Sequence, residues 1–366
     1  MPVKDKNTAL IAMSGGVDSS VAAYLTLRDG YSCEGVTMRL YRNADIGKSD
    51  YHTCCSQRDI DDAAEVAFQL DIPFEVPDFT AEFKMSVMEK FIRVYESGGT
   101  PNPCMDCNRY MKFDLLLKYA EEKGLNHVVT GHYARIEHDG VRYLLKKALD
   151  GKKDQSYFLY MLTQEQLSRV CFPLGEMQKE ETRAIAERLG FCNAKKHDSQ
   201  DICFVSDGDY AGFMERYSGK RYPAGDFLDA DGNIIGRHRG AVRYTVGQRR
   251  GLGVTGGERL YVTGKSMENN TVTLGTNADL YGRTILAGEL NWIAFPSAPT
   301  TFRCAAKIRY RQAEQPASVF AEGDNRVRVV FDTPQRAIAP GQTVVFYDGD
   351  VVLGGGTILE ALRDIS

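Results

Sequence analysis

Hydrophobic and polar residues along the first third of the chain follow two patterns in turn. An apolar run at residues 9–13 predicts a buried strand, and residues 21–28 predict a helix that ends at Gly30. A second apolar run at residues 127–130 predicts another buried strand. Further strands are predicted at residues 33–40 and 74–76, and further helices at residues 56–69, 83–94 and 113–120. Strands that alternate with helices indicate an α/β fold with a doubly wound parallel sheet.

The pattern changes at about residue 225, after a segment from 160 to 215 that is predicted to be mostly helical. Asp231-Gly232 and Asp348-Gly349 favour hairpin turns between short strands. Strands are predicted at residues 260–263, 327–331 and 343–347. We therefore predict an α/β domain over residues 1–215, a small central β-rich domain over 216–283 and a C-terminal β-barrel over 284–366.

Composition narrows the class of protein. The chain has 366 residues, a net charge of −4 and 43% hydrophobic residues, enough for a sizeable core in each domain. Residues 1–7 lack the apolar core of a signal peptide, and no apolar run reaches the length of a membrane span, so we expect a cytoplasmic protein. Nine cysteines in such a protein indicate catalytic, metal-linked or buried thiols rather than a disulfide framework.

Basic residues cluster in two places despite the negative net charge. Such patches suit a polyanion because binding follows the local field, although two solvated strand faces would give the same pattern. The first cluster contains Arg237, Arg239, Arg243, Arg249 and Arg250, and the second contains Arg303, Lys307, Arg309 and Arg311.

The segment Ser14-Gly15-Gly16-Val17-Asp18-Ser19-Ser20 lies between the first predicted strand and the first predicted helix. Glycines let the backbone curl, and the amides of the turn and of the helix start then face an anion. No lysine follows the glycines, which distinguishes the segment from the GxxxxGK[ST] phosphate loop. A serine- and glycine-rich helix cap without a ligand is the alternative. The segment resembles the pyrophosphate loop, SGGxDSS, of ATP pyrophosphatases, which split ATP between its α and β phosphates.

Two further segments carry cysteines. In residues 98–108, Asp106 could cap a helix and place Cys107 in its first turn, where the helix dipole lowers a thiol pKa and Asp106 opposes that effect. Cys104 and Cys107 form a C-x-x-C pair, which suits a metal half-site, a redox pair or two buried cysteines. Cys203, between two large apolar residues, is by itself typical of a protein core.

Taken together, seven separated blocks resemble the tRNA-specific 2-thiouridylases (the MnmA/TrmU family) over essentially the whole chain. The blocks are SGGVDSS, PNPCMDCNRYMKF, TGHYAR, KDQSYFL, SQDICFV, YTVGQRRGLG and RYR. The resemblance implies an enzyme that uses ATP to adenylate O2 of the wobble uridine in tRNA and then inserts sulfur, releasing AMP and pyrophosphate. It also implies a pyrophosphatase-loop domain, a small central domain and a C-terminal β-barrel that binds tRNA.

The same resemblance assigns roles to individual residues. It implies that Cys107 is the catalytic cysteine, that Cys203 carries a persulfide, and that Asp18 is a candidate ligand for Mg²⁺ beside the phosphates. The implied nucleotide contacts are Ala12, Met13, Ser14, Gly15, Gly16, Val17, Asp18, Ser19, Met38 and Gly131. The implied tRNA contacts are Asn102, Pro103, Cys104, His132, Lys153, Asp154, Gln155, Arg309, Tyr310 and Gln342.

One position departs from the best-known members, which have aspartate where this chain has Cys104. Three cysteines, Cys104, Cys107 and Cys203, could then hold an iron–sulfur cluster, as some relatives are thought to do. The simpler alternative is a persulfide relay that ends in a Cys107–Cys203 disulfide. Cys54 and Cys55 are interpreted as structural or incidental.

The implied partners are tRNA with a modifiable wobble uridine and an upstream sulfur carrier or cysteine desulfurase, and the protein is expected to be a monomer. Two other functions share the loop: a synthetase that adenylates a substrate and adds an amine, and an RNA-binding protein that holds ATP as a structural ligand.

Overall fold

The computed structural model describes residues 7–42, 46, 57–198, 202–205, 207–254 and 259–362. Cys54 and Cys55, which the sequence predicts to be structural or incidental, lie outside the described residues. Within these ranges, no helix is both apolar enough and long enough to cross a membrane.

Five parallel strands form the first sheet, in the order β3-β2-β1-β4-β7, as the alternating pattern predicts. Along β1, Ala9 and Ile11 pack on one face of the sheet and Leu10 packs on the other, because side chains alternate along a strand. Both faces are covered by helices, so the central strands β1 and β4 are mostly buried. The strands are β1 (Thr8–Ala12), β2 (Ser32–Val36), β3 (Phe74–Glu75), β4 (His127–Val129) and β7 (Val170–Cys171).

Helix α1 (Val17–Arg28) begins four residues before the predicted start, so the loop is shorter and the helix longer than the apolar pattern indicates. Gly30 ends it, as predicted, with a φ of +87° that suits glycine. The other helices are α2 (Gln57–Gln69), α3 (Thr80–Phe83), α4 (Glu89–Glu96), α5 (Pro103–Asp106), α6 (Leu116–Glu122), α7 (Gln164–Arg169), α8 (Lys179–Arg188) and α9 (Tyr210–Ser218). Among the described residues between 160 and 215, the α-helical ones are those of α7, α8 and part of α9, so they are less helical than predicted.

Two helical segments contain π-helical turns, which the periodicity does not predict. Lys84–Met88 joins α3 to α4, and Cys107–Leu115 joins α5 to α6. The prediction that Asp106 caps the second helix is wrong, because that helix begins at Pro103 and Asp106 has helical dihedral angles. Proline favours the first position of a helix, since its missing N–H and fixed φ cost nothing there.

The middle of the chain forms a four-stranded sheet in the order β10-β11-β8-β9 around a small core that includes Phe227, Val262 and Val272. The hairpin predicted at Asp231-Gly232 joins β8 to β9. The strands are β8 (Gly225–Leu228), β9 (Ile234–His238), β10 (Tyr261–Ser266) and β11 (Thr271–Gly275).

The C-terminal strands close into a barrel because β12 pairs with both β15 and β17. The sheet has the order β12-β15-β14-β13-β16-β17-β6-β5, and the hairpin predicted at Asp348-Gly349 joins β16 to β17. The strands are β12 (Tyr281–Trp292), β13 (Thr301–Lys307), β14 (Gln315–Gly323), β15 (Arg326–Arg336), β16 (Thr343–Asp348) and β17 (Val351–Leu362).

The sheet also contains a hairpin from the first domain that the sequence analysis missed. Strands β5 (Ala134–His138) and β6 (Tyr143–Lys147) extend the barrel sheet, with Lys146 opposite Val351. An Arg135–Asp350 ion pair, with Nη2 2.7 Å from Oδ2, lies across the same junction. The first and last parts of the chain therefore share one sheet.

We predict that Phe91→Ala lowers the free energy of unfolding by about 3–5 kcal/mol, because the Phe91 ring is fully buried. It packs against Phe204 and Phe213 with centroids 5.2 and 6.1 Å away, so its removal leaves a cavity beside the segment that carries Cys203. Urea unfolding measures the change. Phe68→Ala is the matched control, because Phe68 is 86% exposed; an equal loss in both variants would contradict the prediction.

Candidate active site

The loop between β1 and α1 is held closed by its own serines. The Ser14 amide donates to Ser19 Oγ at 3.1 Å, and Ser19 Oγ donates to the Gly16 carbonyl at 3.0 Å. Gly15 has a φ of +68°, and a Cβ at that position would lie 2.2 Å from the Asp59 carbonyl oxygen. Only glycine fits this backbone, which runs against the start of α2.

The start of α1 is open to an anion. Gly16 occupies the N-cap position without a side-chain hydrogen bond, so no side chain caps the first-turn amides of α1. Gly131, just after β4, lies directly against this turn: a Cβ there would be 2.7 Å from the Ser19 nitrogen. Met38 follows β2 at the same edge of the sheet. The predicted nucleotide contacts, residues 12–19, Met38 and Gly131, therefore gather at the carboxyl ends of β1, β2 and β4.

Asp18, in the first turn of α1, is held by residues that the sequence analysis did not single out. Lys179 Nζ lies 2.7 and 2.8 Å from the two carboxylate oxygens of Asp18, and Tyr133 donates to Oδ1 at 3.0 Å. Lys179 also contacts Asp198 Oδ1 at 2.8 Å, and Lys153 contacts Asp198 Oδ2 at 2.8 Å. A charged network thus runs from the loop to the segment that precedes Cys203. The sequence signal for it was weak, since Lys179 stands at the start of an ordinary amphipathic helix.

The helical segment from Pro103 to Glu122, which we call the cysteine helix, carries two free thiols. They are an exposed Cys104 and a half-buried Cys107. Burial raises the pKa of Cys107 to about 11, against the lowering effect of Lys112. Desolvation by the surrounding protein also raises the pKa of Cys104, again with Lys112 opposing it. Because the helix begins at Pro103, Cys107 is not in its first turn, and burial outweighs the dipole effect expected there.

Lys112 links the cysteine helix to the edge of the first sheet. Its Nζ lies 3.5 Å from His132 Nε2, and His132 Nδ1 lies 2.7 Å from Thr130 Oγ1. Burial holds the pKa of His132 well below its usual value, and Lys112 lowers it further, so the ring is neutral. His132 follows Gly131 directly, so the nucleotide edge and the cysteine helix lie side by side.

Cys203 is a half-buried cysteine whose side chain packs against the same hydrophobic cluster as that of Cys107. Tyr41 donates to its carbonyl oxygen at 2.9 Å, and the neighbouring Phe204 ring packs edge-on against Phe83 at 5.8 Å. Within the described part of the chain, no three histidine, cysteine or acidic side chains converge as metal ligands. Cys104, Cys107 and Cys203 therefore do not form a ready-made ligand set in this structure.

Several predicted tRNA contacts are engaged within the protein. The Asp154 carboxylate is buried and accepts from the amides of Ala148 and Ser156, at 3.0 and 3.1 Å. The Gln155 side chain accepts from the Tyr133 amide at 2.9 Å. These two side chains shape the loop that presents Lys153.

Three more of these residues lie in or beside the barrel. Arg309 donates to the Ala337 carbonyl, and the Tyr310 ring packs on Phe158 with centroids 4.5 Å apart. Gln342 donates to the Thr100 carbonyl at 2.9 Å, just before Asn102 and Pro103 at the start of the cysteine helix. The barrel is thus joined directly to the loop that leads into that helix.

Comparisons with known proteins identify three matching family models. They are described as a tRNA methyl transferase HUP domain over residues 7–207, a tRNA methyl transferase PRC-barrel domain over residues 211–276 and an aminomethyltransferase beta-barrel domain over residues 282–358.

Whole-chain relatives carry a different description. The chain is 49% identical to the tRNA-specific 2-thiouridylase MnmA of Syntrophotalea carbinolica, over 97% of this chain and 100% of that protein. It is 46% identical to the MnmA of Clostridioides difficile, over 96% of this chain and 98% of that protein. A solved 4-thiouridine synthetase–RNA complex with bound ATP matches 54% of this chain and 45% of its own chain, at 19% sequence identity and a TM-score of 0.35.

Gly131→Ala should weaken ATP binding about tenfold or more, because the added methyl group overlaps the backbone of Asp18 and Ser19. Isothermal titration with ATP measures the affinity. Gly264→Ala serves as the control, since a Cβ at that position meets no atom within 4 Å. Unchanged ATP affinity in the Gly131 variant would contradict the placement of the nucleotide.

The alkylation rate of Cys107 should keep rising with pH up to about 11, because the thiolate is the reactive form and burial raises the pKa of this thiol. Mass spectrometry of iodoacetamide-treated peptides gives the rate. In urea-unfolded protein the same peptide should level off at the ordinary thiol pKa of about 8.5. A plateau below pH 9 in the folded protein would refute the effect of burial.

Proposed function

The chain belongs to the family of tRNA-specific 2-thiouridylases, and we propose that it replaces O2 of the wobble uridine in tRNA with sulfur at the expense of ATP. The observation that carries this proposal is the juxtaposition of an anion-binding helix start with a helix that bears two thiols. Gly131 lies against the start of α1, and the next residue, His132, faces the cysteine helix. We propose the cytoplasm as the site of action.

The first step makes O2 of uridine a leaving group. O2 forms a bond to the α-phosphorus of ATP, the bond from that phosphorus to the bridging oxygen breaks, and pyrophosphate departs with the electron pair. The N3 proton of uridine leaves to water. The first-turn amides of α1 and the loop at residues 12–19 stabilise the charge that develops on the phosphates.

The second step transfers sulfur. Cys203 holds a persulfide received from an upstream carrier or a cysteine desulfurase, and its terminal sulfur attacks C2 and displaces AMP. The Cys107 thiol then attacks the inner sulfur and its proton passes to N3 of the departing base, so that 2-thiouridine leaves and a Cys107–Cys203 disulfide forms. A cellular dithiol must reduce this disulfide before the next turnover. Cys107 is a free thiol in the structure, as the resting state of such a relay requires.

Mg²⁺ supplies charge neutralisation on the phosphates when it is bound, with Asp18 as the candidate protein ligand. Asp18 lies in the first turn of α1, where it can reach a cation on the phosphates, but its carboxylate is held by Lys179. The ion would therefore rest mainly on phosphate oxygens and water, with Asp18 joining after Lys179 moves.

We propose that tRNA lies across the loop with Lys153, the cysteine helix and the barrel, as one bound molecule on a monomer. The extruded uridine would enter between His132 and Cys104, next to Asn102 and Pro103. Arg309, Tyr310 and Gln342 would then orient the tRNA through the barrel, although their side chains are engaged within the protein before binding.

Cys203→Ala and Cys107→Ser should each reduce 2-thiouridine formation below about 1% of the parent rate while tRNA-dependent pyrophosphate release continues, because adenylation needs neither thiol. Nucleoside mass spectrometry and a pyrophosphate assay measure the two steps. Cys304→Ser, at a cysteine on β13 of the barrel, is the control. Thiolation by the Cys203 variant would overturn the relay.

Cys104→Ala distinguishes the relay from an iron–sulfur mechanism. The relay predicts a modest loss of thiolation, whereas a cluster that needs three cysteines predicts a complete loss.

Pyrophosphate release that depends on a small carboxylic acid instead of tRNA would favour an amine-adding synthetase, and no release with any tRNA would favour an RNA-binding protein.

A further inference from the structure

We propose that Lys179 is a catalytic residue of the adenylation step, which contacts the phosphates of ATP and neutralises the departing pyrophosphate. In the structure its ammonium group lies between Asp18 and Asp198. This inference deepens the proposed function and depends on it.

The position of the ammonium group is the first argument. Only 6% of the Lys179 side chain is exposed, yet its Nζ lies at the first turn of α1, within 2.8 Å of both Asp18 oxygens. Anions bind at this turn because its amides lack a side-chain cap. A phosphate group there would meet Lys179 before any other side chain of α8.

The second argument is a missing charge. The loop at residues 14–20 contains no lysine, so the cation that phosphate-binding loops usually supply must come from elsewhere in the chain. In the described ranges, Lys196 is the other lysine that touches this loop, and it is occupied by the Gly15 carbonyl at 3.0 Å, by Asp59 at 2.5 Å and by Asp62 at 2.6 Å. Those partners hold Lys196 on the α2 side of the loop, which leaves Lys179 at the helix start.

The third argument is that the backbone of Lys179 is fixed while its side chain has alternative partners. The Lys179 amide donates to Asp150 Oδ2 at 3.1 Å, and the Gln178 amide donates to Glu181 Oε2 at 2.8 Å in a capping box. The flexible side chain can then pass from the Asp18 carboxylate to a phosphate oxygen without moving α8. Because the ammonium group is already desolvated, this exchange of anions needs little reorganisation, as transition-state stabilisation requires.

The network also provides a reason for two carboxylates. Asp18 next to an anion-binding turn would repel phosphate if its charge were left uncompensated. Lys179 neutralises Asp18, and Asp198 is itself shared with Lys153 and with Arg183, whose Nη2 lies 3.2 Å away. Release of Lys179 toward phosphate therefore leaves Asp198 paired, and Asp18 becomes available to the Mg²⁺ that accompanies ATP.

Lys179→Met should lower the rate of tRNA-dependent pyrophosphate release by at least about 100-fold, the cost of removing one donor that faces developing charge. ATP affinity, measured by titration calorimetry, should change by less than about fivefold, because the loop amides remain. Lys179→Arg should recover part of the rate. The matched control is Arg188→Met at the opposite end of α8, which should leave both values unchanged.

A structural role for Lys179 predicts different results. If it served only as a buried ion-pair strut, Asp198→Asn would reduce pyrophosphate release as much as Lys179→Met does, and Lys179→Met would lose ATP binding together with thermal stability. Either outcome, or a Lys179→Met rate within about threefold of the parent, overturns the proposal. If the parent protein releases no pyrophosphate with an unmodified tRNA transcript and MgATP, the proposed function itself fails.

Discussion

A short loop, residues 98–103, carries the contact on which the arrangement of this enzyme depends. The Thr100 amide donates to the Pro340 carbonyl at 2.8 Å, and Gln342 of the barrel donates to the Thr100 carbonyl at 2.9 Å. From the middle domain, Lys265 Nζ lies 3.5 Å from the Gly99 carbonyl oxygen. Glycine suits this close approach, since a Cβ on Gly99 would lie 2.9 Å from Val94 Cγ1 and 3.3 Å from the Pro340 oxygen. All three parts of the fold therefore help to set where the cysteine helix begins.

The residues that we propose to act in the reaction lie on two neighbouring parts of the first domain. One is the edge of the parallel sheet, where amides and Gly131 surround an anion site. The other is the π-helical stretch that begins at Cys107, and His132 with Lys112 lies between the two. A π-helix has a wider turn than an α-helix and is common at functional sites. Because the proposed reaction needs a phosphate leaving group and a sulfur nucleophile on the same base, this adjacency is the central property of the proposed site.

The sequence predicted most of this architecture because the responsible signals are local. Glycines in the loop at residues 14–20, the apolar runs of the sheet and the hairpin turn at Asp231-Gly232 each determine their own neighbourhood. The features that were missed depend on distant partners. Burial, which raises the pKa of Cys107 to about 11, comes from packing that spacing does not reveal, and Lys179 meets Asp18 from 161 positions away. The start of the cysteine helix was mistaken because Asp106 was interpreted as its cap, whereas Pro103 begins the helix.

The hairpin β5–β6 has a consequence for how such a protein can change over time. Its strands leave the first domain and extend the sheet of the last, so the boundary between them is a shared surface and not a linker. A barrel borrowed from another protein would have to offer β6 an equivalent edge and a carboxylate for Arg135. Recombination that exchanges whole domains is therefore hindered here, and the two ends of the chain must evolve as one inherited unit.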